Sequence, residues 1–215
     1  NALHGAYGED GQVQEILSRS GVRYTGSDKY ASAMAMNKWM TKEKARSLGI
    51  KTPLSVLVRQ SDSLAEKVRE IHGLIPLPLI VKPASGGSSI GIKKVNSYTD
   101  LLSVLENVLA EHGSALVEEY IPGKQASVAV ANNFRDRAVY IFPPVEVFVD
   151  RLQAPGSFTL GEKMEMEKIS ELIHHSLGLK HYSNSDFIVS PRRGVYFLEV
   201  NASPKLKEKS VISES

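Results

Sequence analysis

Two carboxylates and an amide late in the chain have the types and spacing of a site for a hard cation. Residues 182 to 190 and 194 to 200 read as strands joined by Pro191-Arg192-Arg193-Gly194, a composition that turns a hairpin. With the turn centred between Arg192 and Arg193, a symmetric register places Asp186 opposite Glu199. Carboxylates directly across a strand pair have Cβ atoms roughly 4.5 to 5.5 Å apart and repel, so folding avoids the arrangement unless a cation lies between them. Asn201, two residues after Glu199, shares its face and adds a third oxygen. Three hard oxygen ligands suit a Mg²⁺ ion that also holds phosphate. The spacing leaves a second reading open, a solvated face whose register a bulge has shifted.

The segment Ser85 to Gly91 carries three glycines and three serines, which offer backbone N–H groups and hydroxyls to an anion. No Gly-Lys-Ser/Thr follows, so this is not a Walker loop, and a plain flexible turn has the same composition. Lys82 favours the phosphate reading, because it ends the apolar run Leu77 to Val81, where a buried ammonium is costly unless paired. Lys38 is a second candidate, on a helix where a lysine is more often solvated. Leu116 to Gly123 reads as a strand leaving the core, with Leu116, Glu118 and Tyr120 on one side; a solvated edge strand fits it as well. His4-Gly5 and Gly8-Glu9-Asp10-Gly11 are either a small-molecule loop or a helix cap whose acids favour the dipole.

The elements that must position these groups follow from periodicity. Val13, Ile16 and Leu17 form a helical stripe within residues 9 to 20, stopped by Gly21, and residues 28 to 48 read as two helices ending before Gly49 and Pro53. A strand is expected at 54 to 58, a helix at 61 to 72, and short strands at 77 to 83 and 93 to 95. Tyr98, Leu101, Leu102, Leu105, Val108 and Leu109 make one face of an amphipathic helix. Strands follow at 114 to 120, 126 to 132, 136 to 142 and 144 to 149, then a loop over 151 to 161 and a helix over 162 to 177. A mixed first half and a strand-rich second half imply an α+β arrangement rather than one alternating parallel sheet.

Composition narrows the function further. In 215 residues, 26 Lys+Arg against 24 Asp+Glu give a formal net charge of +2, so nothing electrostatic favours nucleic acid or an acidic membrane. The 42% hydrophobic and 23% charged content is that of a globular chain with a real core. No apolar run approaches the roughly 18 to 20 residues of a membrane helix, and the N-terminus lacks a leader pattern, so we expect a cytoplasmic chain without a membrane partner. Zero cysteines exclude disulfides, thiolate metal sites and cysteine nucleophiles. Asn1 in place of an initiator Met and dense chemistry at residue 4 lead us to expect a piece of a longer protein.

Taken in order, these segments resemble the ATP-grasp ligases, and among them the D-alanine-D-alanine ligases. The likeness is carried by His4-Gly5, Gly8 to Gly11, Tyr24-Thr25-Gly26-Ser27, Asn37-Lys38 through Lys42, Leu77 to Gly91, Val117 to Gly123, and Leu198-Glu199-Val200-Asn201 with Pro204. It implies two α+β subdomains holding ATP between antiparallel sheets: a central one over 27–116 with a glycine-rich lid, a C-terminal one over 117–215 with the metal site, and a remnant of an N-terminal substrate domain over 1–26.

By that resemblance Lys38 and Lys82 hold phosphates, Ser88, Ser89 and Gly91 belong to the lid, and Ser88, Lys82 and Asn184 are the catalytic positions. Glu118, Glu119, Tyr120 and Ile121 meet adenine, and Gln125, where the family has Glu, reaches the ribose. Asp186, Glu199 and Asn201 hold Mg²⁺, with Mn²⁺ as a substitute, and His4 and Ser210 face the amino-acid substrate. The implied reaction phosphorylates the carboxylate of one D-alanine, and the amine of a second attacks the acyl phosphate, in peptidoglycan precursor synthesis. A homodimer is implied as well.

The departures from the family lie on the amino-acid side. Asn184 stands where the family has Arg, Lys205 where it has Gly, and Leu206-Lys207 where it has Met-Thr, while Arg151 to Pro155 replace a longer loop with Tyr and Lys. They set a second reading beside the ligase, a nucleotide-binding protein that has lost ligation. They also lead us to expect dipeptide formation that is slow or absent even where ATP binds.

Overall fold

The computed structural model describes residue 3 and residues 5–86, 91–148, 151–204 and 210–211. His4, Ser88, Ser89 and the departures at Lys205, Leu206 and Lys207 lie outside the described residues. In chain order the elements are α1 (Gln12–Arg19), α2 (Lys29–Met36), α3 (Lys38–Ser47), β1 (Ser55–Arg59), α4 (Leu64–Leu74), β2 (Leu79–Pro83), β3 (Lys93–Val95) and α5 (Tyr98–His112), followed by β4 (Ser114–Glu119), β5 (Lys124–Phe134), β6 (Arg137–Ile141), β7 (Val145–Val147), β8 (Leu152–Gln153), α6 (Leu160–Ser176), β9 (Tyr182–Ser190) and β10 (Gly194–Asn201).

The strands form two antiparallel sheets. A four-stranded sheet runs β1-β4-β2-β3; a six-stranded sheet runs β10-β9-β5-β7-β8, with β6 on the far half of β5. In the smaller sheet Val56, Val58, Leu79, Val81, Ala115 and Val117 pack under Ile71 of α4 and Leu101 and Leu105 of α5. Strand alternation therefore turns Ile80, Lys82, Leu116 and Glu118 to the other face. In the larger sheet Ala126, Val128, Phe187, Val189, Val195 and Phe197 pack against Met166, Ile169 and Ile173 of α6 and share a core with Ala31 and Ala35 of α2 and Ala45 of α3. Its opposite face carries Ser127, Asn184 and Asp186. The charged faces of the two sheets look towards each other, which makes a cleft.

Helix ends are fixed locally. Asp28 caps α2, accepting from Tyr30 N and Ala31 N at 3.1 Å each, and α6 opens on a capping box of Thr159 and Glu162. Gly161 and Leu160, expected before that helix, are its first residues, because the box fixes the start at Thr159. Leu152–Gln153, expected in a loop, pair with β7. Gly123 turns the chain from one sheet to the other at a point so tight that a Cβ there would lie 2.4 Å from Val189 O.

The hairpin corrects the expected turn. Gly194 pairs with Ser190 and Phe197 with Phe187, so the loop is the three residues Pro191 to Arg193, centred on Arg192, with Gly194 at φ 78° closing it. A bulge between Phe197 and Glu199 then shifts the register, and Glu199 faces Asp186.

Candidate functional site

Five buried or half-buried charges of alternating sign cross the cleft. Lys42 Nζ lies 3.0 Å from Glu118 Oε1, and Lys82 Nζ 3.0 Å from Glu118 Oε2. Glu199 Oε2 is 4.0 Å from Lys82 Nζ and 3.5 Å from Lys38 Nζ. Helix α3 supplies Lys38 and Lys42 one turn apart, β2 and β4 supply Lys82 and Glu118, and β10 supplies Glu199. Burial alone would push these groups towards their neutral forms. At Lys82 it is outweighed by Glu118 and then Glu199, so the ammonium titrates above its ordinary range; at Glu118 it is outweighed by Lys42 and Lys82, which hold the carboxyl below its ordinary range.

Local structure explains the placement. Asn37 caps α3 by accepting from Met40 N at 3.0 Å and also bridges to Ser85, while Lys38 N donates to Ala84 O at 2.9 Å. The start of α3 is thereby pinned to the end of β2, and Lys38 Nζ donates to Gly86 O. In the smaller sheet Glu118 stands opposite Ile80, which makes Lys82 its diagonal neighbour on the same face. Strand β4 is interior, between β1 and β2, so the solvated-edge reading of Glu118 does not hold.

Two small cavities meet at Lys38 and Gly86. One, about 130 Å³, is walled by Glu9, Lys38, Gly86, Asp186, Glu199 and Asn201; the other, about 110 Å³, by Lys38, Lys82, Ser85, Gly86, Ile92 and His112. Asp186 accepts from Ser127 Oγ and from Asn184 Nδ2, the latter at 3.1 Å. Burial, and after it the charge of Glu199, pushes the Asp186 carboxyl up to about 7 against those two hydrogen bonds. A carboxylate raised this far beside a second one is a donor set that a divalent cation would stabilise. The amide of Asn201 adds oxygen, although its Oδ1 also accepts from Ser203 N at 2.8 Å.

The remaining positions are more scattered. Glu119 is buried and accepts from Arg193 Nη1; Ile121 is buried, and Tyr120 carries Lys94 Nζ 3.8 Å above its ring. Gln125 is exposed on β5, opposite Ile188. Gly91, at φ 86°, leaves no slack for a side chain, since a Cβ would lie 3.2 Å from Pro83. Ser210 is buried and lines neither cavity. Asn184 is buried and tied to Ser127 and Asp186. The open question at the N-terminal acids has a split answer: Glu9 accepts from Gly5 N at 2.6 Å and walls the larger of the two cavities, whereas Asp10 accepts from Tyr7 N at 2.8 Å and Gln12 N at 3.0 Å and ties the loop just ahead of α1, whose N-cap is Gly11.

Sequence reasoning passed over three groups. Lys42, fully buried, sits four residues after Lys38, and that spacing put it on the same helical face. Ser127 lies directly opposite Asp186, a pairing that needs the β5–β9 register, which no local pattern gives. His112 reaches the smaller cavity from the end of α5, with no signal in its neighbours.

Residues 45–215 match the family described as D-ala D-ala ligase C-terminus. The chain is 33% identical over 221 residues to the D-alanine--D-alanine ligase of Paraburkholderia phymatum, covering 98% of this chain and 71% of that protein. Its fold superposes on the VanG D-Ala:D-Ser ligase of Enterococcus faecalis with a TM-score of 0.88 at 26% identity, over 97% of this chain and 64% of that one. It likewise matches the Bacillus anthracis D-alanine--D-alanine ligase complexed with ATP, with a TM-score of 0.84 at 27% identity over 99% of this chain and 69% of that one. With its paired antiparallel sheets and its charged cleft, the chain belongs to the D-alanine-D-alanine ligase family of ATP-grasp proteins.

Proposed function

We propose that this chain is the nucleotide-binding and phosphoryl-transfer part of an ATP-dependent ligase that joins the carboxylate of one D-alanine to the amine of a second amino acid, D-alanine, in peptidoglycan precursor synthesis. The observation that carries the reading is the convergence of Lys38 and Lys82 with Asp186, Glu199 and Asn201 around two adjoining cavities. In this reading the two sheets that face each other there hold ATP between them, and the setting is the cytoplasm.

In this reading Lys82 and Lys38 bind the phosphates, and the backbone at Gly86 approaches them. Ser88 and Ser89, outside the described residues, are assigned to the same phosphates by the family likeness alone. Asp186, Glu199 and Asn201 would hold Mg²⁺, which neutralises phosphate charge and fixes the angle of attack. A carboxylate oxygen of the first amino acid attacks the γ-phosphorus and ADP leaves. The amine of the second then attacks the acyl carbon, the C–O bond to phosphate breaks, and the nitrogen gives up a proton. By the family likeness Glu119, Tyr120, Ile121 and Gln125 are assigned to the base and ribose, with Glu118, here held by Lys42 and Lys82, beside them, and His4 and Ser210 are assigned to the amino acids on that likeness alone. The family likeness extends the proposal to a homodimer.

The test is mass spectrometry of products from ATP, Mg²⁺ and a panel of D- and L-amino acids, with phosphate release followed in parallel. Phosphate release coupled to a D-alanyl dipeptide supports the assignment; ATP turnover only with another amino acid pair would replace D-alanine, and no coupled product with any pair would overturn ligation.

A further inference from the structure

Lys42 is the most deeply buried member of the alternating chain and, like Glu118, lines neither cavity. Its side chain is fully buried, and its Nζ faces Glu118 Oε1 at 3.0 Å without the alignment of a hydrogen bond. The other oxygen of Glu118 faces Lys82 Nζ, also at 3.0 Å. One carboxylate is thus shared by two ammoniums, one sealed in and the other in the wall of a cavity. A buried ammonium with so few hydrogen-bond partners is expensive, and its only charged return within the fold is the half of the Glu118 carboxylate that it neutralises, which a Met or Leu in its place would leave unpaired.

We propose that Lys42 is a positioning residue for nucleotide binding, drawing one oxygen of Glu118 away so that the ammonium of Lys82 stays free to meet phosphate. This rests on the reading of Lys82 as a phosphate ligand. Without the Lys42 charge, Glu118 would belong to Lys82 alone. The net charge of Lys38, Lys42, Lys82, Glu118 and Glu199 would fall from +1 (three ammoniums, two carboxylates) to zero. Both changes weaken the attraction for a polyphosphate, and in a buried setting charge terms of this kind are not screened away.

The chemistry also provides a reversible version of the same change. Burial, opposed by Glu118 and helped by the like charge of Lys82, pushes the Lys42 ammonium down to about 8. The charged groups facing it are Glu118 from β4, Lys82 from β2 and Glu199 from β10, with Lys38 one turn away on its own helix.

The experiment is calorimetric titration of the whole chain with MgATP from pH 7 to 9.5, for the unmodified protein, Lys42→Met and Lys42→Arg, with circular dichroism to show that each is folded. The unmodified protein is expected to lose about tenfold in affinity across an inflection near pH 8. Lys42→Met should be weaker by about the same factor at pH 7 and flat with pH, and Lys42→Arg tight and flat. If the arginine variant does not fold, the other two decide. A folded Lys42→Met with the affinity and pH profile of the unmodified protein would overturn the proposal while leaving ATP binding intact; failure of the unmodified protein to bind MgATP at any pH would overturn the reading of Lys82 and the proposal with it.

Discussion

Glu199 stands opposite Asp186 because Leu198 is left out of the ladder. Before the bulge Val195 and Phe197 face the helix-covered core; after it Val200 and Ala202 do. The apolar phase thus changes parity between Phe197 and Val200. With unbroken alternation from Phe197, Glu199 would point into that core and Leu198 would sit beside Asp186. The extra residue re-aims a carboxylate, as bulges near active sites do.

That juxtaposition has a cost in the metal-free protein. The Asp186 carboxyl is raised above its ordinary value of 3.8 to about 7, so the folded state holds a proton that the unfolded chain gives up. Its contribution favours the fold at low pH and is lost as pH rises between those two values. Asp186→Asn is therefore expected to raise the metal-free Tm at pH 8 by a few degrees, about 1 kcal/mol given the partial exposure of the site. At pH 4.5 the effect should nearly vanish. The same variant should weaken MgATP binding at least about tenfold. Thermal scans at both pH values check it, and a lower Tm at pH 8 would contradict it.

His174 predicts the opposite pH slope. It is fully buried, with Nδ1 2.8 Å from Ser183 Oγ, and burial, then neighbouring His175, depresses it from 6.5 to about 4. The folded state keeps the ring neutral where the unfolded chain protonates it. Stability from this group is present above pH 6.5 and is lost as pH falls towards 4, by up to about 3 kcal/mol. His174→Gln, which keeps a polar partner for Ser183 and cannot titrate in this range, should flatten that part of the stability profile in urea titrations at pH 7 and 4.5. An unchanged slope would assign the acid sensitivity to other groups.

Gly123→Ala tests how the two sheets are joined. A Cβ there would meet Val189 O at 2.4 Å, and backbone cannot move aside as a side chain can. We expect a loss of about 2 to 3 kcal/mol and weaker ATP binding from a displaced Glu119, measured by denaturant midpoint and calorimetry. A neutral substitution would mean that the corner is slack.

Asn184→Arg addresses the amino-acid side. Asn184 donates to Ser127 Oγ at 2.7 Å and Asp186 Oδ1 at 3.1 Å, so it steadies Asp186 and brings no charge to the cleft. A charge-assisted bond to developing negative charge is worth on the order of 10² in rate, and the Arg variant should make D-alanyl-D-alanine faster by about that factor at saturating substrates. Equal rates would show that the missing guanidinium is replaced by another group of this chain.

Much of this was legible in the sequence, for stated reasons. Strand and helix positions follow from periodicity, and the Asp186–Glu199 pairing was found, although by the wrong turn: a loop centred on Arg192 and a bulge at Leu198 together give the pairing that a symmetric turn would have given. The parity change from Val195 and Phe197 to Val200 and Ala202 was the readable sign of the bulge. What could not be read is long-range. That β4 lies inside its sheet, that α2 and α3 share a core with the larger sheet, and that Glu118 serves two lysines all depend on pairings far apart in the chain, which local pattern does not encode.

The most direct test of the account is calorimetry of ATP with and without Mg²⁺, on the unmodified chain and on Glu199→Gln. Glu199 pairs with Lys38 and Lys82 and faces Asp186, so the account, which assigns these lysines to phosphate, predicts binding that requires Mg²⁺ and weakens about tenfold or more in the variant. Binding of ATP that is indifferent to Mg²⁺ and unchanged by Glu199→Gln would contradict it.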